Sequence, residues 1–266
     1  MAERPLETPD AWAKPLRSYR LRGRPLTEAQ QAAYGTLPQW GFPVDAAAAP
    51  VAAIASRDDD ASVSDPAGGG VSHPEQPVDL AELFGRMEPR PVAVEIGFGM
   101  AETTLAMAIA QPEVDLIAVD VHRPGVAVLL KGIAEHRLTN VRVAHGDAVE
   151  ILSRQIAPGA LDEVRVFFPD PWPKVHHHRR RLVNAEFAAL VASRLRIGGR
   201  LHLATDWEHY AQQMRTVIAA EPSLDNIADT PEGFVPRPAH RPVTRFEEIG
   251  MAKGHEVFDL VAVRVE

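Results

Sequence analysis

VRVFFPDPWPKVHHHRRR, residues Val164 to Arg181, opens as a strand and cannot remain one. Val164-Arg165-Val166-Phe167-Phe168 is dense in β-branched and aromatic side chains, the composition of a buried strand. Pro169-Asp170-Pro171-Trp172-Pro173 then sets three prolines within five residues. Proline donates no ladder hydrogen bond and breaks a helix interior, so the chain turns here. Each proline holds the residue before it extended, which predicts extended backbone for Asp170 and Trp172 at a strand's carboxyl end. In open α/β sheets that edge is where ligands bind. Lys174, His176, His177, His178, Arg179, Arg180 and Arg181 follow as a cationic strip. A carboxylate and an indole beside such a strip suit a nucleobase and its phosphate backbone. A proline-rich loop with a solvated basic face is the plain alternative.

Outward from this stretch, strands and helices alternate. Pro91 to Ile96, Asp115 to Val121, Val141 to Ala144 and Glu163 to Phe168 read as strands, followed by Arg200 to Ala204 after a Gly198-Gly199 turn. Helices are expected at Glu102 to Ala110, Pro124 to His136, Ala148 to Ile156, Leu182 to Leu195 and Trp207 to Ala220. His255 to Val265 alternates as a last strand. This order predicts an α/β fold, a parallel sheet with helices on both faces.

Three segments are expected. Residues 1–43 form a basic N-terminal arm, in which Lys14, Arg17, Arg20, Arg22 and Arg24 stand with no acid among them. A short helix over 26–32 follows within that arm, with Thr27 as its N-cap. Residues 44–77 are Ala, Asp, Ser, Pro and Gly without aromatics, a flexible linker or insertion. Residues 78–266 hold the main domain. The net charge of −8 counts against general nucleic-acid binding but leaves room for a local basic face. With no cysteine in 266 residues, disulfides, thiolate metal sites and a thiol nucleophile are excluded, which suits the cytoplasm. No signal segment is evident, and the apolar stretch 46–55 is broken by Pro50 and too short to span a bilayer.

Glu95-Ile96-Gly97-Phe98-Gly99-Met100-Ala101-Glu102 links the first strand to its helix. Glycines there let backbone approach a ligand closely. The dinucleotide fingerprint wants a third glycine where Glu102 stands, and an acid beside a diphosphate is unfavourable, so NAD is disfavoured. The pattern instead resembles the first motif of S-adenosylmethionine (SAM)-dependent methyltransferases, whose cofactor carries an ammonium and a sulfonium but no phosphate. Asp120 and Asp147 stand at the next two strand ends, where carboxylates suit the ribose hydroxyls and the adenine amine. Asp147 is equally placed to cap a helix, and Asp120 to be an exposed strand-end acid.

Glu95-Ile96-Gly97-Phe98-Gly99, Val121 to Val126, Phe168 to Lys174, Ala204-Thr205-Asp206-Trp207 and Arg241 to Glu247 together resemble the bacterial tRNA (guanine-N7)-methyltransferases, as does the arm from Arg17 to Leu37. The resemblance covers about 14–43 and 78–266. It implies a Rossmann-like SAM-dependent methyltransferase sheet with a reversed last strand, tRNA as partner, and methylation of N7 of guanine 46 in the variable loop. No protein partner is implied. It places Glu95, Gly97, Gly99, Asp120, Asp147 and Asp170 at the cofactor, with Asp170 also catalytic. Lys174, Asp206, Thr244, Arg245, Phe246 and Glu247 match substrate-binding positions, and His176, His177, His178, Arg179, Arg180 and Arg181 the RNA-contacting stretch. Asp120 for the usual Glu, Val175 for a basic residue and Arg245 for Lys are departures, the last keeping charge but changing geometry.

Bland roles remain open: packing for Trp172, a turn hydroxyl for Thr244, a helix cap for Asp206. On a strand His176 and His178 would share a face and His177 would not, a spacing unlike ordinary metal ligation, so no metal is assigned. The rival functions are a SAM-dependent methyltransferase of another RNA or a small molecule, and a non-catalytic RNA-binding protein on that scaffold.

Overall fold

The computed structural model describes residues 25–44, 77–252, 254 and 256–266. The basic stretch 14–24 and most of the expected linker lie outside the described residues. Two short helices, α1 (Glu28–Tyr34) and α2 (Leu37–Trp40), are followed by α3 (Leu80–Phe84). Then come β1 (Val92–Ile96), α4 (Glu102–Ala110), β2 (Asp115–Asp120), α5 (Arg123–His136), β3 (Val141–His145), α6 (Ala148–Gln155) and β4 (Leu161–Phe167). A 3-10 turn (Val175–Arg180) leads to α7 (Ala185–Arg194), β5 (Leu195–Thr205), α8 (Glu208–Ala220), β6 (Leu224–Asn226), α9 (Arg245–Met251) and β7 (Phe258–Arg264).

The strands among the described residues form one sheet in the order β3-β2-β1-β4-β5-β7-β6. β1 to β5 pair in parallel, and β7 runs antiparallel to both β5 and β6, the reversed last strand expected. Side chains alternate between faces. Val94, Ile96, Val164, Val166, Leu201 and Leu203 pack under α6, α7 and α8, while Ala93, Leu116, Ala118 and Val143 pack under α5. All five residues of β1 are buried, as a central parallel strand covered on both sides requires. Connections diverge to opposite sides of the β1–β4 pair, which opens a crevice at the carboxyl ends of those two strands. No helix among the described residues is long and apolar enough to cross a membrane.

The segment 25–44 closes one sheet edge. Thr27 and Gln30 form a capping box on α1. Farther on, the Phe42 amide donates to Val143 O at 2.9 Å and Gly41 bridges β3 in parallel, covering the edge of β3. Phe42 is buried in the main core, a burial that contributes about 2–3 kcal/mol.

Several boundaries differ from expectation. α7 starts at Ala185 because Asn184 caps it, accepting the Phe187 amide at 2.9 Å, and the Val183 amide instead donates to Tyr210 Oη. β5 starts at Leu195 and runs through Gly198-Gly199, which is a bulge and not a turn: Leu161 faces Leu195, yet Glu163 faces Arg200. A side chain on Gly199 would stand 2.8 Å from Arg196 O and 3.0 Å from Leu161 O. β7 begins at Phe258, and β6 and α9 carry no alternation that predicted them.

Candidate active site

The loop after β1 is built from left-handed backbone. Gly97, Gly99 and Ala101 have φ of 81°, 57° and 65°. Glycine adopts this freely, whereas Ala101 does so at a cost of about 1–2 kcal/mol. Ala101 is buried against the α5 side of the sheet, so its methyl offsets part of that strain. Beta carbons on Gly97 or Gly99 would meet nothing within 4 Å, so the loop faces open space. Gly125, in the first turn of α5, is the opposite case: its beta carbon would lie 1.8 Å from Gly99 O. Gly125 thereby lets α5 touch the glycine loop, a contact that no local pattern signals.

Glu95, the next-to-last residue of β1, is almost fully buried, and burial raises its carboxyl to about 7, with Thr104 and Arg165 pulling the other way. Its Oε2 is buried without a hydrogen-bond partner, as is Thr104 Oγ1. Asp120 accepts the Gly99 amide on Oδ2 and the His122 amide on Oδ1, both at 2.8 Å. It ties the glycine loop to β2, and burial raises its pKa while these bonds oppose the rise. Asp147 caps α6, accepting Val149 N at 2.9 Å, so the capping role is real. Next to it, His145 at the end of β3 meets Tyr34 Oη at 2.6 Å, and Arg123 lies 4.5 Å over the Tyr34 ring. Tyr34 thereby brings the N-terminal segment to the rim of this site, a contact no local pattern signalled.

Across the crevice, the loop after β4 departs from the extended backbone expected of it. Phe168 and Trp172, each before a proline, have φ of 51° and 44°. Trp172 is 3% exposed and packs against His177, with Arg180 5.0 Å over its ring, so it is a packing residue and not a stacking platform for a base. Asp170 is exposed, and Lys174, His176 and Arg179 beside it are exposed too. Residues 175–180 form a 3-10 turn, so the strand geometry expected of the histidines does not hold. His176 and His177 contact each other at 4.1 Å, while His178 leans on His209.

Arg181 is a correction. It is 1% exposed and turned inward: Nε donates to Pro171 O at 2.9 Å, Nη1 to Gln213 Oε1 at 2.6 Å, and its plane covers Tyr210. It fastens the Asp170 loop to α8, and its buried Nη2 makes no hydrogen bond. A shallow groove along α8, lined by Glu208, His209, Gln212, Gln213 and Thr216, opens beside this strip and shares no lining residue with the glycine loop.

Thr244 and Glu247 form a capping box that starts α9, with the Glu247 amide 3.0 Å from Thr244 Oγ1. The Glu247 carboxylate, expected at the substrate, is buried and held by Arg241 at 2.6 and 3.0 Å. Arg241, wholly buried, also grips Asp259 at 2.7 and 2.8 Å. Arg245 and Phe246 occupy the first turn of α9. The N-cap of α8 is Trp207, not Asp206, which leaves the end of β5 half-buried.

Residues 89–260 match the family model described as a putative methyltransferase. The tRNA (guanine-N(7)-)-methyltransferase of Nitrosospira multiformis is 43% identical over 249 residues, 93% of this chain and 94% of its own. That of Streptomyces coelicolor is 55% identical over 190 residues, 71% of this chain and 69% of its own. Among solved structures, the 16S rRNA methyltransferase KamB overlaps 72% of this chain and 96% of its own, with a TM-score of 0.48 at 14% identity. Phosphoethanolamine N-methyltransferase 2 of Haemonchus contortus, in complex with S-adenosyl-L-methionine, overlaps 70% and 51% with a TM-score of 0.44 at 14% identity. Matched across its sheet domain by the family model, and nearly end to end by one relative, the chain belongs to the tRNA (guanine-N7)-methyltransferase family.

Proposed function

We propose that this chain methylates N7 of guanine 46 in the variable loop of cytoplasmic tRNA, with S-adenosylmethionine as donor. The observation that carries the reading is convergence: the Glu95–Gly99 loop after β1 and Asp170 after β4 flank the same crevice, and the exposed cations from Lys174 onward begin at its lip. The residues fit the donor. Glu95 presents a buried oxygen without a partner, suited to an ammonium, and the backbone at Gly97 and Gly99 opens on free space. Asp120 and Asp147 would take the ribose and adenine while keeping their backbone bonds, since each carboxylate oxygen has a second lone pair.

When bound, the donor supplies an electrophilic methyl group on a sulfonium. Guanine N7 offers an in-plane lone pair and carries no proton, so the chain need not supply a general base. It must align the base with the methyl group and balance the positive charge that grows on the purine. Asp170, exposed at the crevice, does the second. Asp206 accepts from the N1–H and exocyclic amine that distinguish guanine from adenine, and Lys174, Thr244, Arg245 and Phe246 hold the substrate. His176, His177, His178, Arg179 and Arg180 line the phosphate path; Glu247 and Arg181 position the others.

The test is methyl transfer from labelled donor to unmodified tRNA, mapped by cleavage at 7-methylguanine. Asp170→Ala retains donor binding and loses transfer by about 10²–10³-fold. An Asp170→Ala protein that methylates normally, or a product mapping outside the variable loop, overturns the reading.

A further inference from the structure

Glu163, His202 and His240 are far apart in sequence and meet in a small cavity of about 200 Å³ between β4, β5 and the loop that follows β6. Arg200, Val235 and Pro238 complete its wall. The cavity lies toward the amino end of β4, whereas Asp170 follows the carboxyl end, so it is separate from the methylation crevice. One ligand atom from each of the three residues lies within 4.8 Å of the others. We propose that these residues bind a divalent transition-metal ion of the zinc type.

Two imidazole nitrogens carry the argument. His202 is 1% exposed, and its Nδ1 is buried with no hydrogen-bond partner; His240 Nε2 is also buried and makes no hydrogen bond, its neighbour being Glu163 Oε1 at 3.5 Å. The other nitrogen of His202, Nε2, lies 2.8 Å from Asp259 Oδ1. Asp259 also receives both donors of Arg241, so it acts as an acceptor and Nε2 is the donor. In the neutral ring Nδ1 then holds the lone pair. A histidine oriented by a carboxylate through its second nitrogen is the usual support for a metal ligand.

Glu163 is fixed in the same manner. Its Oε2 accepts Arg165 Nε at 2.9 Å and Nη2 at 2.6 Å, which leaves Oε1 facing His240 Nε2 at 3.5 Å. Metal bonds of about 2.0–2.2 Å put tetrahedral ligand atoms about 3.5 Å apart, so this pair already has the spacing. His240 sits in a loop and can close the rest. Two histidines and one glutamate leave a fourth position for water from the cavity. Glu163, Asp259 and Glu247 face Arg165 and Arg241, an excess of one negative charge, with Arg200 and Arg237 at the solvent rim. The ion would clasp the His240 loop, and with it Arg241, to the sheet.

The simpler account is a protonated His240 paired with Glu163. Chelator-treated full-length protein titrated with Co²⁺ separates the two. The expected result is one Co²⁺ per chain with tetrahedral visible absorption, displaced by Zn²⁺, and a thermal midpoint raised by Zn²⁺. His240→Ala, a loop change that should fold, lowers affinity about 100-fold and removes the thermal shift; Glu163→Gln lowers affinity about 10-fold. A variant with His176, His177 and His178 all changed to Ala keeps the site. No stoichiometric binding, wild-type affinity in His240→Ala, or loss of binding in the triple variant each overturns the assignment.

Discussion

Gly125→Ala isolates the contact between α5 and the glycine loop. The added methyl would stand 1.8 Å from Gly99 O, 3.0 Å from Gly99 C and 3.2 Å from His122 Nδ1. The first is backbone and cannot rotate away. Carbon and oxygen do not approach below about 3.0 Å, so the loop or the helix must retreat by about 1 Å. Gly99 is also held by Asp120 through its amide, so the displacement is transmitted to both ends of that bond. A misplacement of about 1 Å in a positioning element costs about 10²-fold in rate, or about 2.7 kcal/mol in kcat/KM. Overpacking adds about 1–3 kcal/mol of destabilisation, a fall in Tm of roughly 3–10 °C for a domain of this size. Donor binding by calorimetry, steady-state transfer to tRNA and a thermal melt are measured on the same preparation. The expected result is weaker donor binding in a folded protein. Wild-type donor affinity together with wild-type kcat/KM would refute the reasoning, because the clash leaves no arrangement in which both contacts persist.

Glu95 titrates at about 7 in the folded chain against about 4.5 when exposed, so the native state holds the extra proton between those values. The stability this contributes is present below pH 4.5 and lost as pH rises toward 7; Glu95→Gln should flatten that part of the curve in urea unfolding at stepped pH, and an unchanged slope counts against the burial argument. Arg241→Met leaves the buried Glu247 and Asp259 without their main cationic partner and should cost about 3–5 kcal/mol in chemical denaturation, less than 1 kcal/mol being incompatible with the four bonds described. Arg179→Ala should lower the slope of log affinity for tRNA against log salt by about 0.7–0.9, whereas Arg181→Ala should leave the slope unchanged while lowering kcat and Tm; equal slope changes would restore Arg181 to the phosphate path.

Local signals explain what could be read beforehand. β1 to β4 are short apolar runs closed by Gly, Asp or Pro, and Thr27 and Asp147 announce their helices by side chains that bond their own amides. What stayed hidden depends on partners distant in the chain. Three consecutive arginines look alike as charge, but the 3-10 turn that ends at Arg180 leaves Arg179 exposed and Arg181 buried on Tyr210. Gly198-Gly199 resembles a turn until β4 approaches closely enough to require a bulge. Thr244-Arg245-Phe246-Glu247 has the spacing of a capping box, yet its match to a substrate motif masked the helix it begins. Glu163, His202 and His240 meet only because β5 lies beside β4 and β7 beside β5.

The stretches Phe168 to Lys174 and Arg241 to Glu247 are joined physically by one guanidinium. Arg241 grips Glu247 at the start of α9 and Asp259 in β7, and it lies 5.8 and 5.6 Å from the rings of Phe167 and Phe168. Phe168 is the left-handed residue at which β4 turns into the Asp170 loop. Strain of that kind persists only when surroundings over-determine it. Here an aromatic pair under a fully paired guanidinium holds one side, while Arg181 bonding Pro171 O holds the other. The exposed carboxylate of Asp170 is therefore carried on a loop clamped from below and behind. In the role proposed for Asp170, a carboxylate held this way needs no reorganisation when positive charge grows on the base.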